Sequence, residues 1–128
     1  MDVLPSEEEQ MLKNLAREFL EGECPPSLAR AMEVDELGYP PELWKKMADL
    51  GWPSLALPEQ YGGQGMPLTY LGVILEEAGR AIAPVPLHST MMAALAIAEH
   101  GNDAQREEIL PRVCSGDLIL TWAFTEAD

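Results

Sequence analysis

Apolar residues recur at spacings of three and four along most of this chain, the signature of helices with one buried face. Ser6 followed by Glu9 forms a capping-box pattern, and Met11, Leu12, Leu15, Ala16, Phe19 and Leu20 continue behind it at helical spacing. A first helix is predicted from about Ser6 to Glu21. Cys24-Pro25-Pro26 stops it, because proline lacks an amide donor and restricts the residue before it; Ser27 is then placed to cap a short second helix. Tyr39-Pro40-Pro41 opens a third, whose apolar face of Leu43, Trp44, Met47 and Leu50 ends at Gly51, the residue type favoured just past a helix C-terminus.

The periodicity vanishes between Trp52 and Met66, where Pro53, Pro58, Gly62, Gly63 and Gly65 surround Leu55-Ala56-Leu57. An ordered loop is expected there. Pro67 suits a first helical turn, and Leu68, Leu71, Leu75, Ala78 and Ile82 carry a long half-buried helix up to Pro84. After the bend Pro84-Val85-Pro86, residues Met91, Met92, Leu95 and Ala98 mark another helix closed by Gly101. Asn102 or Asp103 caps the next, which Pro111 should end or kink. The last stretch differs: Leu118 to Phe124 is nearly all apolar, follows a Ser115-Gly116 turn, and reads as a β-strand without a partner. A lone strand leaves its own polar groups unsatisfied, so the pattern implies a sheet that lies elsewhere.

At 128 residues the chain is the size of one domain, long enough for one core and short for an enzyme with its own large cofactor. Eight basic residues against 22 acidic give a formal charge of -14, which repels phosphate backbones and anionic lipid surfaces; neither nucleic acid nor a membrane is an expected partner. The longest apolar run, Met91 to Ala98, falls well short of the roughly 20 residues that span a bilayer. No signal or transit pattern is visible in the acidic N-terminus, so a cytoplasmic location is expected. Cys24 and Cys114 stand far apart with no Cys or His at metal-ligand spacing, and are expected to be free thiols.

No nucleophile with its base, metal set or tuned acid and base pair is evident, so no residue here is assigned a catalytic or metal-binding role. His88 and His100 read as a helix-start residue and a C-terminal helix residue. Glu76 and Glu77, adjacent on a helix, point in different directions, and at least one is expected to be solvated. Gly62-Gly63-Gln64-Gly65 lacks the Gly-Lys-Ser/Thr of a phosphate loop and reads as a structural turn. Met91 and Met92 read first as core packing, although flexible methionines also suit a cavity for a variable apolar ligand.

Taken together these segments resemble the N-terminal region of the acyl-CoA dehydrogenase family. The most specific piece is Leu57-Pro58-Glu59-Gln60-Tyr61-Gly62-Gly63-Gln64-Gly65, similar to the family's V-P-E-x-Y-G-G-x-G loop, followed by Leu75-Glu76-Glu77-Ala78-Gly79-Arg80, similar to its L-E-E-x-x-R helix. Trp44 to Gly51 resembles the helix ending in L-G. Gly101 to Gln105 and Leu110 to Asp117 resemble the G-x-x-x-Q and L-P-x-x-x-S-G-x segments, and Ala123-Phe124-Thr125-Glu126 the opening of A-x-T-E-P-x-A-G-S-D. Ala127 departs from that last motif, standing where the family usually has proline, and the chain stops at Asp128 before its glycine and serine.

The resemblance implies an all-α fold, an acyl-CoA dehydrogenase N-terminal-like helical bundle with a short terminal β-strand. Residues 1–117 would form the helical domain, and 118–128 the first strand of a truncated central β-domain. It implies FAD as cofactor, with Trp122, Ala123, Phe124 and Thr125 along the flavin. Pro84, Val85, His88, Ser89 and Met92 would line the acyl cavity of an acyl-CoA substrate. The parent protein would convert an acyl-CoA to its trans-2-enoyl-CoA, pass electrons to an electron-transfer flavoprotein, and form a homo- or hetero-oligomer. The family's catalytic base, a glutamate, would lie outside this chain. Two other readings stay open: a helical interaction subunit pairing with a chain that carries the base, and a flavin oxidase or monooxygenase of the same fold.

Overall fold

The computed structural model describes residues 4–126; the departure at Ala127 and the end at Asp128 lie outside them. Six α-helices follow in order: α1 Glu7–Glu23, α2 Pro26–Met32, α3 Pro41–Asp49, α4 Leu68–Arg80, α5 Leu87–His100 and α6 Asp103–Cys114. The capping boxes form as chemistry dictates. Ser6 accepts the amide of Glu9 at 3.1 Å while the Glu9 carboxylate accepts the amide of Ser6 at 2.8 Å, and Asn102 and Gln105 repeat the exchange at the start of α6. Gly51 closes α3 at φ 79°, a left-handed seat that glycine takes without a Cβ penalty.

α1 packs along α4 and α5 along α6, with α3 and the following loop against them. Leu20, Met47, Leu57, Leu71, Ile74, Leu87, Met91, Leu110 and Val113 are fully buried in one core. Each such side chain contributes about 1.5–3 kcal/mol relative to exposure. The 52–66 segment is ordered as expected, through two short 3-10 turns, Trp52–Ser54 and Glu59–Tyr61. The amides of Gln64, Gly65 and Met66 donate back to the carbonyls of Ser54, Leu57 and Leu55 at 2.9–3.0 Å, and the Gln64 side-chain amide reaches Gly51 O at 2.8 Å and Ser54 Oγ at 2.9 Å. Gly62 to Gly65 is therefore a structural turn.

Three local expectations fail. Ser27 does not cap α2; Pro25 holds that position, and no side chain caps it. α4 ends at Arg80, so Ile82 is not on its buried face. Instead Ile82 takes the left-handed position after the helix at φ 50°, where Ala83 N donates to Ala78 O at 2.9 Å, and its side chain is 68% exposed. Pro111, expected to end or kink α6, does not end it: the helix runs on to Cys114. Proline has no amide to donate to the carbonyl of Glu107, an exposed residue. The terminal strand is not formed, since no strand occurs among the described residues; residues 118–126 run without a ladder because no second strand lies beside them.

Candidate functional site

The entry to α5 supplies the first group of candidate residues. Pro86 leads into Leu87, whose buried side chain anchors the first turn, and leaves His88 on the outer surface. Pro84, Val85, Ser89 and Met92 are half-buried. Val85 and His88 line an open apolar concavity of about 390 Å³ together with Leu75, Ile82 and Ala83; Pro84, Ser89 and Met92 are not among its walls. Ser89 Oγ turns back to Pro86 O at 3.3 Å.

The second group lies on the chain after α6. Trp122, Ala123, Phe124 and Thr125 are all exposed, Phe124 at 77%, and the Trp122 and Phe124 rings lean together with centroids 4.9 Å apart at 54°. This arm is tied to the helical body at three points, one of them the amide of Leu118, which donates to Arg112 O at 3.1 Å. Trp44 Nε1 donates to Gly116 O at 2.8 Å, and Gly116 sits against Ala48 at φ 81°, where a Cβ would collide. Further along, Thr90 Oγ1 accepts the amide of Leu120 at 3.2 Å and donates to its carbonyl at 3.3 Å. Thr90 belongs to the first turns of α5, so this contact holds Leu120, two residues before Trp122, against that helix. Sequence reasoning missed it. A single polar residue at a buried position of an otherwise apolar helix face was the available signal.

Beyond Leu120 the arm makes no hydrogen bond to the helical body among the described residues. Its rings are open, and among the described residues the amides of 121–126 donate to no protein acceptor, leaving N–H groups and the Thr125 hydroxyl for polar atoms of a ligand. Reacting groups are another matter: no cluster of three or more His, Cys, Asp or Glu able to hold a metal occurs among the described residues. Burial pushes both cysteine thiols up, away from thiolate reactivity.

The most perturbed carboxylate is Glu77, which is fully buried while Glu76 stays 63% exposed. Arg17 grips it with Nε at 3.0 Å and Nη2 at 2.8 Å, and Arg80 Nε adds a bond at 2.8 Å. The Arg17 hydrogen bonds, helped by Arg80, outweigh burial and hold its pKa down at about 2. With both oxygens occupied by guanidinium groups, Glu77 is a brace between α1 and α4 and not a proton-transfer group.

Helices, arm and brace define a helical domain. The chain belongs to the acyl-CoA dehydrogenase family: residues 6–117 match the family described as "Acyl-CoA dehydrogenase, N-terminal domain". It is 33% identical over 120 residues to the acyl-CoA dehydrogenase IpdE2 of Mycolicibacterium smegmatis, covering 93% of this chain and 39% of that protein. Among solved structures it resembles a variant of the Tcur3481-Tcur3483 steroid ACAD, at 45% identity and a TM-score of 0.83, over 90% of this chain and 32% of that one. An acyl-CoA dehydrogenase from Bacillus anthracis complexed with FAD matches at 26% identity and a TM-score of 0.74, over 91% of this chain and 20% of that one. The chain thus spans well under half the length of these relatives. No helix among the described residues is long and apolar enough to cross a membrane.

Proposed function

We propose that this chain is the N-terminal helical part of an FAD-dependent acyl-CoA dehydrogenase that oxidises the Cα–Cβ bond of an acyl-CoA to a trans-2-enoyl-CoA. Its acyl group would be of the bulky, steroid-bearing kind. The observation that supports this reading is the Thr90–Leu120 contact, which holds the arm to α5 two residues before Trp122. The 45% identity to a steroid ACAD favours the substrate class, and the open concavity at Val85, His88 and Ile82 suits a ligand too wide for a narrow channel.

In this reading the helical domain of residues 1–117 continues into a central β-domain at 118–128. Trp122, Ala123, Phe124 and Thr125 stand along the flavin, whose chemistry when bound is to accept the β-hydride. Trp122 and Phe124 exclude water from its face, and free amides of the arm with the Thr125 hydroxyl hydrogen-bond its polar atoms. Pro84, Val85, His88, Ser89 and Met92 border the acyl group. The base that takes the α-proton lies outside this chain. An electron-transfer flavoprotein serves as acceptor, and the parent protein is an oligomer.

The test is dye-coupled oxidation by the protein made from the complete reading frame, offered straight-chain and steroid acyl-CoA thioesters, with products weighed by mass spectrometry. Loss of two hydrogens from a steroid thioester, at a higher kcat/KM than from straight chains, is expected. Equal or better use of straight chains would overturn the substrate class, and hydrogen peroxide formed in stoichiometric amount without dye would favour the oxidase reading.

A further inference from the structure

We propose that Thr90 is a positioning residue whose hydroxyl sets where the arm carrying Trp122 to Thr125 stands relative to the entry of α5. This rests on the function proposed above. Thr90 is fully buried and stands among Leu87, Met91 and Ala94 as the polar member of the buried face of α5. A threonine within a helix commonly turns its hydroxyl back to a carbonyl of the preceding turn. Here the hydroxyl crosses instead to a residue 30 positions away and engages both polar groups of its backbone, accepting from Leu120 N and donating to Leu120 O.

One side chain thereby does for Leu120 what a residue of a neighbouring strand does in an antiparallel pair, where two residues exchange both N–H and C=O bonds. That accounts for a seated segment without a ladder. The Trp44–Gly116 contact and the bond from Leu118 N to Arg112 O fasten the arm four and two positions earlier. Beyond Leu120 no hydrogen bond within the described residues holds the backbone, so Thr90 is the last fixed point before Trp122. Two extended residues span roughly 7 Å, so freedom at Leu120 becomes displacement of the aromatic rings. Valine would keep the shape of Thr90 and leave both Leu120 groups without their partner.

The experiment compares Thr90→Val and Thr90→Ser in the complete protein. Its readouts are amide exchange of the 118–126 peptide by mass spectrometry, FAD affinity by reconstitution of the apoprotein, and kcat against KM. Thr90→Val should speed exchange of the Leu120 amide about tenfold, weaken FAD about five- to tenfold and lower kcat more than it changes KM. Thr90→Ser should match the wild type throughout. Should Thr90→Val not fold, Leu120→Pro removes the same amide donor from the arm side and should give the same changes in FAD affinity and kcat. Unchanged exchange, or faster exchange with unaltered FAD affinity and kcat, would overturn the positioning role. A wild-type protein that binds no FAD would instead overturn the dehydrogenase reading, and the exchange measurement would still report on the clamp itself.

Discussion

Gly63→Ala is expected to destabilise the fold by about 3 kcal/mol, because overpacking costs 1–3 kcal/mol where side chains can yield and more where backbone is struck. A Cβ on Gly63 would overlap the carbonyl of Leu57 and approach that of Pro58. Neither is free to retreat. Leu57 is fully buried and its carbonyl accepts Gly65 N at 2.9 Å, while Pro58 O accepts the amides of Tyr61 and of Gly63 itself at 3.1 Å. The damage should spread to α6, against which this loop packs. Urea unfolding followed by the helical circular dichroism signal checks this, with Gly72→Ala as the control. Gly72 lies within α4 with nothing within 4 Å of an added Cβ, so alanine there should raise stability by up to about 1 kcal/mol. A Gly63→Ala chain with the wild-type midpoint would show that the loop is not locked as described.

Glu77→Gln should cost about 2 kcal/mol at neutral pH. Removing one member of a buried ion pair typically costs about 3–5 kcal/mol, and here the two arginines, 44% and 42% exposed, recover part of that by turning to water. Glu76→Gln, on an exposed residue paired to Lys13, should change stability by less than about 0.5 kcal/mol. The pH dependence follows from the direction of the shift. The folded pKa of Glu77 is depressed from 4.5 to about 2, so its contribution is complete above pH 4.5 and is lost as the pH falls from there toward 2. Stability measured across that window should fall more steeply for the wild type than for Glu77→Gln, and the two curves should converge at the acid end. Parallel curves would mean that the carboxylate gains nothing from Arg17 and Arg80.

Most helices were legible because their start and stop signals are local. Ser6 with Glu9 and Asn102 with Gln105 each satisfy orphan amides within one turn, and Gly51 takes a backbone angle that other residues avoid. What failed depended on neighbours that spacing does not reveal. Ile82 was misjudged because a glycine-type position was filled by a β-branched residue. Leu118 to Phe124 has the composition of a strand, but a strand is a property of two segments, and only Thr90 stands in for the second. The burial of Glu77 was hidden for the same reason, since its guanidinium partner Arg17 lies 60 positions earlier. At the candidate site, Val85 and His88 border an apolar concavity and residues 122–125 are exposed. The Thr90–Leu120 contact carries no motif at all.

The most direct test of the central claim is anaerobic titration of the complete protein with acyl-CoA thioesters while the flavin absorption is recorded. The purified protein should carry FAD, and its flavin band should bleach on addition of a steroid acyl-CoA. A protein that binds no flavin, or one whose flavin stays oxidised with every acyl-CoA supplied, would contradict it.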